Sequence, residues 1–142
     1  MQCRILLVED EPENQLVIGL ILKTEGYSVI TVDRGEAAVE TAERERPDLV
    51  LLDVMMPEVN GFEVLARLRN NPNTASTPVI LLTALAQERD VERAVEAGVN
   101  GFVAKPFEPG ELISCVRSAL AGSGSCRVAG MRPCLGSGAD DV

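Results

Sequence analysis

Polar side chains that could do chemistry follow short apolar runs in this 142-residue chain. They are Glu9 and Asp10 after residues 5–8, Asp53 after 49–52, Thr83 after 79–82, and Lys105 after 102–104. Runs this apolar, without polar alternation, are typical of strands in a parallel sheet that is buried on both faces. Ligands of such sheets bind beyond the carboxyl ends of the strands, where residues distant in sequence converge. The sequence therefore predicts that these polar groups form one site.

The three carboxylates of that site predict a bound divalent cation. If Asp10 and Asp53 stand on neighbouring strand ends, their carboxylates lie about 4 to 5 Å apart and repel by about 3 to 4 kcal/mol at an effective dielectric of 20. Glu9 makes the site still more negative. Hard oxygen ligands with room for water suit Mg²⁺ better than zinc or copper. With Lys105 adding positive charge, the site is expected to attract a metal ion and an incoming phosphoryl group together.

Each of these groups also has an ordinary structural interpretation. An acidic pair after a strand is commonly a turn or a helix cap, a threonine at a strand end commonly bonds to backbone, and a lysine commonly extends into solvent. For any one group taken alone the ordinary interpretation is favoured, because short motifs often occur by chance. Their joint occurrence at successive strand ends favours the functional interpretation.

Composition favours one globular domain and opposes several classes of function. A hydrophobic content of 46% suits one sizeable core, and a net charge of -9 opposes nonspecific attraction to nucleic acid or anionic lipid. No segment approaches the roughly 20 apolar residues of a membrane span, and no signal peptide follows Met1, so a cytoplasmic location is expected. The sequence contains no histidine, which excludes Ser/His and Cys/His nucleophiles and removes the commonest zinc ligand. Cys3 and Cys115 are predicted to be buried thiols.

Helix signals occur between the predicted strands. Pro12 suits the start of a first helix that ends at Gly26. Its apolar face is formed by Leu16, Val17, Leu20 and Ile21. Asp33 with Glu36 predicts a capped start for the second helix.

Three more helices follow along the chain. The third is predicted to begin at Asn60 and to end near Asn70, and the fourth to span residues 87–97. The last opens at Pro109 with an apolar stripe formed by Leu112, Ile113, Val116, Ala119 and Leu120. Strands that alternate with helices through right-handed crossovers make a doubly wound α/β domain. Residues 1–121 are assigned to this domain, and the Gly/Ser-rich residues 122–142 to a flexible tail or linker.

From Ile5 to about Leu120 the chain resembles the receiver domain of response regulators in two-component signalling, including those that regulate chemotaxis. The motifs that carry the resemblance are Leu7-Val8-Glu9-Asp10, Leu51-Leu52-Asp53-Val54-Met55-Met56-Pro57, Asn60-Gly61, Thr83-Ala84 and Lys105-Pro106-Phe107. The resemblance implies a flavodoxin-like sheet of five parallel strands, in the order 2-1-3-4-5, with helices on both faces.

The resemblance also assigns roles to individual residues. It implies that Asp53 is the phosphoacceptor and that Mg²⁺ (or Mn²⁺) is bound by Glu9, Asp10, Asp53 and the backbone carbonyl of Met55. It also implies that the phosphoryl oxygens are contacted by Thr83, the backbone amide of Ala84 and Lys105. A cis bond between Lys105 and Pro106 is the last implication. Phe102 occupies the position of an aromatic residue that rotates inward when the threonine moves toward the phosphoryl group. Plain core packing is the alternative role for Phe102.

The function so implied is a phosphorylation-controlled switch rather than an enzyme. A histidine kinase or histidine phosphotransfer protein would donate the phosphoryl group and would dock on the first helix near residues 14–18. A downstream protein or a second copy of the chain would bind the surface formed by the fourth helix, fifth strand and fifth helix. Neither nucleic acid nor a membrane is an expected partner.

Three alternatives to a stand-alone switch remain open. The chain could be a receiver fragment of a larger transcriptional regulator or hybrid kinase. A haloacid-dehalogenase-like phosphatase also uses an aspartate nucleophile with Mg²⁺, but it is expected to carry D-x-D on the first strand, whereas Met55 follows Asp53 by two positions. A constitutive adaptor would keep the fold without the switch.

Overall fold

The computed structural model describes residues 3–53, 61–83, 96, 98–104, 108–123 and 134–135. The elements in chain order are β1 (Arg4–Val8), α1 (Pro12–Thr24), β2 (Ser28–Val32), α2 (Gly35–Glu45), β3 (Leu49–Asp53), α3 (Gly61–Asn70), β4 (Val79–Thr83), β5 (Gly101–Ala104), a C-terminal helix (Pro109–Ser123) and β6 (Cys134–Leu135). The predicted helix over residues 87–97 lies outside the described residues except for Glu96, which is helical.

The strands form one parallel sheet in the order β2-β1-β3-β4-β5-β6. The predicted order of the first five strands is therefore confirmed. The two-residue strand β6 comes from the segment assigned to the tail and pairs with Gly101 and Phe102 at the edge of β5. The C-terminal helix also includes Gly122 and Ser123, two residues beyond the predicted domain boundary.

The core has two layers, one on each face of the sheet, because successive strand side chains point to opposite faces. On β1, Leu6 and Val8 belong to the layer beneath α2 and α3, whereas Ile5 and Leu7 belong to the layer beneath α1 and the C-terminal helix. Both sets are fully buried. This double burial explains why the strands are apolar at every position rather than at every second one.

Helix α1 begins at Pro12 as predicted, but its predicted apolar face is not the buried one. Ile18 and Leu22 are buried against the sheet, whereas Leu16, Val17 and Leu20 are 74%, 55% and 65% exposed. The helix is apolar around most of its circumference, and only one side can face the sheet. The expectation from periodicity was therefore wrong for these three residues.

The predicted cap of α2 is also wrong. Arg34, with extended backbone, is the N-cap residue, and no side chain caps the helix. Asp33 lies one residue too early to bond to the first turn and instead pairs with Arg34 at 3.6 Å on the surface. The helix ends at Glu45, and its C-cap residue Arg46 adopts a left-handed backbone with φ of 50°.

The two cysteines assigned to the core differ in their chemistry. Cys115 is a buried free thiol, as expected, whereas Cys3 is disulfide-bonded. Both lie in the core layer beneath α1 and the C-terminal helix.

Within the described residues, no helix is long and apolar enough to cross a membrane.

Candidate functional site

The candidate site lies at the carboxyl edge of the sheet, where four parallel strands end side by side. Val8 pairs with Leu52, so Glu9 directly beyond β1 is level with Asp53 at the end of β3, and Asp10 is one position further on. Thr83 ends β4, one position beyond the partner of Asp53. The register of the strands therefore brings residues from distant parts of the chain to one edge.

Glu9, Asp10 and Asp53 form an acidic cluster in which one carboxylate oxygen from each residue lies within 4.8 Å of the other two. Glu9 is fully buried, Asp53 is 4% exposed, and Asp10 is partly exposed. Burial of carboxylates this close together is costly unless a cation compensates the charge. The donors are hard oxygens at a partly open position, which fits Mg²⁺. These three residues can therefore hold a divalent cation.

The loop between β1 and α1 holds Glu9 in place. The Glu9 carboxylate accepts hydrogen bonds from the backbone N–H of Glu11 at 3.2 Å and from the side-chain amide of Asn14 at 3.5 Å. The Gln15 side chain donates to the Glu9 carbonyl at 2.6 Å, and the Glu9 N–H donates to the Val32 carbonyl at 3.1 Å. Since α1 starts at Pro12, the positive end of its dipole also favours negative charge at this loop. The acidic cluster is thus arranged by the fold before any ligand binds.

Not every predicted site residue falls within the described part of the chain. Glu9, Asp10 and Asp53 are brought together, and the backbone of Thr83 ends the adjacent strand. Met55, Ala84, Lys105 and Pro106 lie outside the described residues. Their roles stay predictions.

Phe102 lies in the core layer beneath α2 and α3, and its side chain is 1% exposed. Its strand position pairs with Leu81 on β4, two residues before Thr83. The ring is therefore already buried, as the packing interpretation expects. The rotation that the resemblance implies stays a prediction.

Helix α1 carries an exposed apolar face, formed by Leu16, Val17 and Leu20. Leu20 also lines a groove of about 520 Å³ between α1 and the C-terminal helix, together with Ile113. The ion pair between Arg117 and Glu25, at 2.6 Å, joins the two helices at this groove. A signal was available, because a helix that is apolar around its circumference needs a second apolar contact besides the core.

Comparison with known proteins gives a consistent result. Residues 5–117 match the family model described as the response regulator receiver domain. An uncharacterized 14.6 kDa protein of Leptolyngbya boryana is 39% identical over 116 residues, which cover 82% of this chain and 88% of that protein. The transcriptional regulatory protein YkoG of Bacillus subtilis is 44% identical over 121 residues, or 85% of this chain and 52% of that protein. Relative to YkoG and to several other regulators, the chain thus spans about half of their length.

Solved structures agree with the fold. The receiver domain of the sensor histidine kinase PA1611 from Pseudomonas aeruginosa, with a magnesium ion coordinated in its active-site cleft, is 39% identical with a TM-score of 0.78, covering 85% of this chain and 99% of that one. The chemotaxis protein CheY4 of Vibrio cholerae is 27% identical with a TM-score of 0.79, covering 84% and 99%. These similarities confirm the predicted doubly wound fold.

Proposed function

The chain belongs to the response regulator receiver domain family, and from this premise we propose that it is a phosphorylation-controlled switch whose phosphoacceptor is Asp53. The family is a signalling domain rather than an enzyme that turns over a substrate. The observation that carries the proposal is the acidic cluster, with oxygens within 4.8 Å, at the edge where Thr83 ends the next strand. A cytoplasmic location is part of the proposal.

In the proposed reaction, a carboxylate oxygen of Asp53 forms a bond to the phosphorus of a donor phosphohistidine. The P–N bond of the donor breaks, and its imidazole nitrogen keeps the electron pair and takes up a proton. Asp53 needs no general base, because a carboxylate is already ionised at neutral pH. When bound by Glu9, Asp10 and Asp53, Mg²⁺ (or Mn²⁺) supplies positive charge that neutralises the phosphoryl oxygens. Thr83, Ala84 and Lys105 are the proposed contacts of those oxygens.

The phosphoryl group adds about 1.5 to 2 negative charges and three strong acceptor oxygens at the end of β3. Thr83, at the end of the neighbouring β4, is the proposed first responder. From there the change would reach Phe102 on β5 and the surface formed by residues 87–97, β5 and the C-terminal helix. A downstream protein or a second copy of the chain is the proposed reader of that surface.

The exposed face of α1 is the proposed docking surface for the phosphodonor. Leu16, Val17 and Leu20 are each more than half exposed, and they begin one turn after the loop that carries Glu9 and Asp10. A partner seated on this face would therefore lie next to Asp53. An apolar stripe on a helix fits an apolar helical surface of a histidine kinase or phosphotransfer protein.

Substitution of both Leu16 and Leu20 by serine is expected to slow phosphotransfer from such a protein by about tenfold or more, because apolar anchors dominate interface energies. Phosphorylation by a small donor such as acetyl phosphate should be unchanged, because the acidic cluster is not altered. The measurement is the rate at which labelled phosphate is transferred from a phosphotransfer protein that has been selected because it phosphorylates the wild type. Lys23→Ser, an exposed change on the same helix, is the control and should transfer at the wild-type rate. Equal loss with both donors would show that the substitution damages the site rather than docking.

Intact-mass measurement after incubation with Mg²⁺ and acetyl phosphate distinguishes the proposed function from its alternatives. One added phosphoryl group per chain supports the switch. Continued release of phosphate over many turnovers supports the phosphatase, and absence of any addition supports an adaptor without a switch. The phosphatase is already disfavoured, since Asp53 lies on β3 and the first strand is followed by Glu9-Asp10 rather than D-x-D.

Because the chain spans about half of several relatives, the full protein could be a larger transcriptional regulator or hybrid kinase. MtrA of Mycolicibacterium smegmatis, 38% identical over 120 residues, is a DNA-binding response regulator, and PA1611 is a sensor histidine kinase. The switch proposed here would serve either arrangement, because the acidic cluster and the α1 face both belong to the matched residues.

A further inference from the structure

The last turn of α3 carries Arg69, whose guanidinium holds three segments of the chain together. One terminal nitrogen, Nη1, donates to the backbone carbonyls of Ala75 at 3.2 Å and Thr77 at 2.7 Å. Nε and Nη2 both donate to the carbonyl of Gly98, at 3.1 and 2.7 Å. Nη2 also donates to the side-chain oxygen of Asn100 at 2.9 Å. One side chain thus connects α3, the entry to β4 and the entry to β5.

Asn100 extends this connection into the sheet. The side-chain oxygen of Asn100 accepts a hydrogen bond from the backbone N–H of Val79 at 2.9 Å, and the backbone N–H of Asn100 donates to the Val79 carbonyl at 2.7 Å. Val79 is the first residue of β4, and β5 begins at Gly101. The start of β5 is therefore fixed to the start of β4 through Asn100, with Arg69 bonded to both sides of the junction.

Only an arginine can make this set of contacts. Its planar group presents several N–H donors at fixed angles, whereas a lysine ammonium is a single point that cannot reach carbonyls on opposite sides. Burial lowers the pKa of Arg69, because the charged group loses water. Hydrogen bonds from a charged donor are stronger than neutral ones, so four oxygen acceptors compensate that loss.

The residues that Arg69 holds, Gly98 and Asn100, follow the part of the chain that begins after Thr83. Thr83 ends β4 at the site, and the chain returns at Gly98, whose φ of +89° places it in the left-handed region. The positive φ favours glycine at this position, and a Cβ added there would lie 3.4 Å from Nε of Arg69. The chain thus returns from the proposed first responder to a point that is held in place.

We propose that Arg69 is a positioning residue for the switch: it holds the start of β5 against the start of β4, so that displacement of Thr83 at the other end of β4 is passed on to β5. This inference rests on the proposed phosphorylation switch and adds the contact through which displacement of Thr83 affects β5. Because β4 and β5 are paired along their length and are joined at their starts through Asn100, a change at Thr83 moves the two strands together.

Hydrogen exchange with and without the phosphoryl mimic beryllofluoride, in the presence of Mg²⁺, tests this role. In the wild type, beryllofluoride is expected to change amide exchange over residues 101–104 of β5. In Arg69→Gln the affinity for beryllofluoride should stay within about twofold, because the acidic cluster is at the opposite ends of the strands, while the exchange difference over residues 101–104 falls by about half or more. Arg67→Gln, in the same helical turn, removes the same charge and is the matched control, with the wild-type difference expected.

A merely structural role for Arg69 would raise exchange equally in both states and leave the beryllofluoride-induced difference unchanged, and that result would overturn the proposal. If Arg69→Gln does not fold, Arg69→Lys keeps the charge and aliphatic stem and is judged by the same difference. Failure of the wild type to bind beryllofluoride would instead refute the proposed function. The two failures are thus distinguishable.

Discussion

Asp53→Asn is expected to abolish phosphorylation, with the wild type gaining one phosphoryl group from acetyl phosphate and Mg²⁺ and the variant gaining none. The asparagine amide is neutral and a poor nucleophile, so no stable bond to phosphorus can form at this position. The side chain is nearly isosteric, and Asp53 is 4% exposed at the end of β3, so the fold should be retained. Loss of reactivity by at least about a hundredfold is the expected size, since the nucleophile itself is removed. Intact-mass spectrometry provides the measurement.

Asp33→Asn is the matched control for this experiment. Asp33 directly follows β2, as Glu9 directly follows the neighbouring β1, but it is exposed and lies outside the acidic cluster. It should accept one phosphoryl group as the wild type does. Phosphorylation of Asp53→Asn at the wild-type level would refute the assignment of Asp53 and would require another acceptor among the remaining acids.

The acidic cluster could be predicted because it depends on strand ends and on the strand order, which the resemblance to receiver domains implied. Apolar runs without alternation indicated strands buried on both faces, and parallel strands of that kind must end at one edge. The register then fixes where each following residue lies: Val8 opposite Leu52 puts Glu9 beside Asp53. No knowledge of side-chain packing was needed for the acidic cluster.

The exposed face of α1 could not be predicted in this way. Periodicity shows that a helix has apolar positions, but it does not show which of them face the sheet when nearly all sides are apolar. Leu20 and Leu22 are equivalent in type, yet one is 65% exposed and the other is fully buried. The direction in which the helix crosses the sheet decides between them, and this direction is a tertiary property.

The contacts of Arg69 were equally inaccessible from the sequence. A basic residue in the last turn of a helix is favoured there by the helix dipole and is commonly exposed. Its actual partners are backbone carbonyls of Thr77 and Gly98, eight and 29 residues further along the chain. Carbonyl groups carry no side-chain signature, so only the folded loops disclose that an arginine is required.

Asp10→Asn is expected to stabilise the chain in the absence of divalent cations and to remove most of the stabilisation by Mg²⁺. One carboxylate oxygen from each residue of the cluster lies within 4.8 Å of the other two. Two unit charges at such a distance repel by about 3.5 kcal/mol at an effective dielectric of 20. Asp10 is partly exposed, so solvent and salt reduce the gain in unfolding free energy to about 1–2 kcal/mol.

Asp10 is the most informative member of the cluster for this test. Glu9 accepts hydrogen bonds from Glu11 and Asn14, so its neutralisation would alter the loop as well as the charge. Asp53 is the proposed acceptor, so its replacement would confuse stability with reactivity. Asp10→Asn changes the charge of the cluster with the least change of shape.

The measurement is urea unfolding of wild type and Asp10→Asn, each in EDTA and in saturating Mg²⁺, with ionic strength matched by KCl. A ligand at a hundred times its dissociation constant stabilises the native state by about 2.7 kcal/mol. The wild type should gain about this amount, and the variant less than about 1 kcal/mol because one hard ligand and one negative charge are gone. The two proteins should therefore exchange their order of stability between EDTA and Mg²⁺. Asp33→Asn is the control and should behave as the wild type in both conditions, because Asp33 adds no charge to the cluster. Equal gains from Mg²⁺ in wild type and Asp10→Asn, or an Asp10→Asn variant that is less stable than the wild type in EDTA, would show that the cluster is held together by protein contacts and is not a cation site.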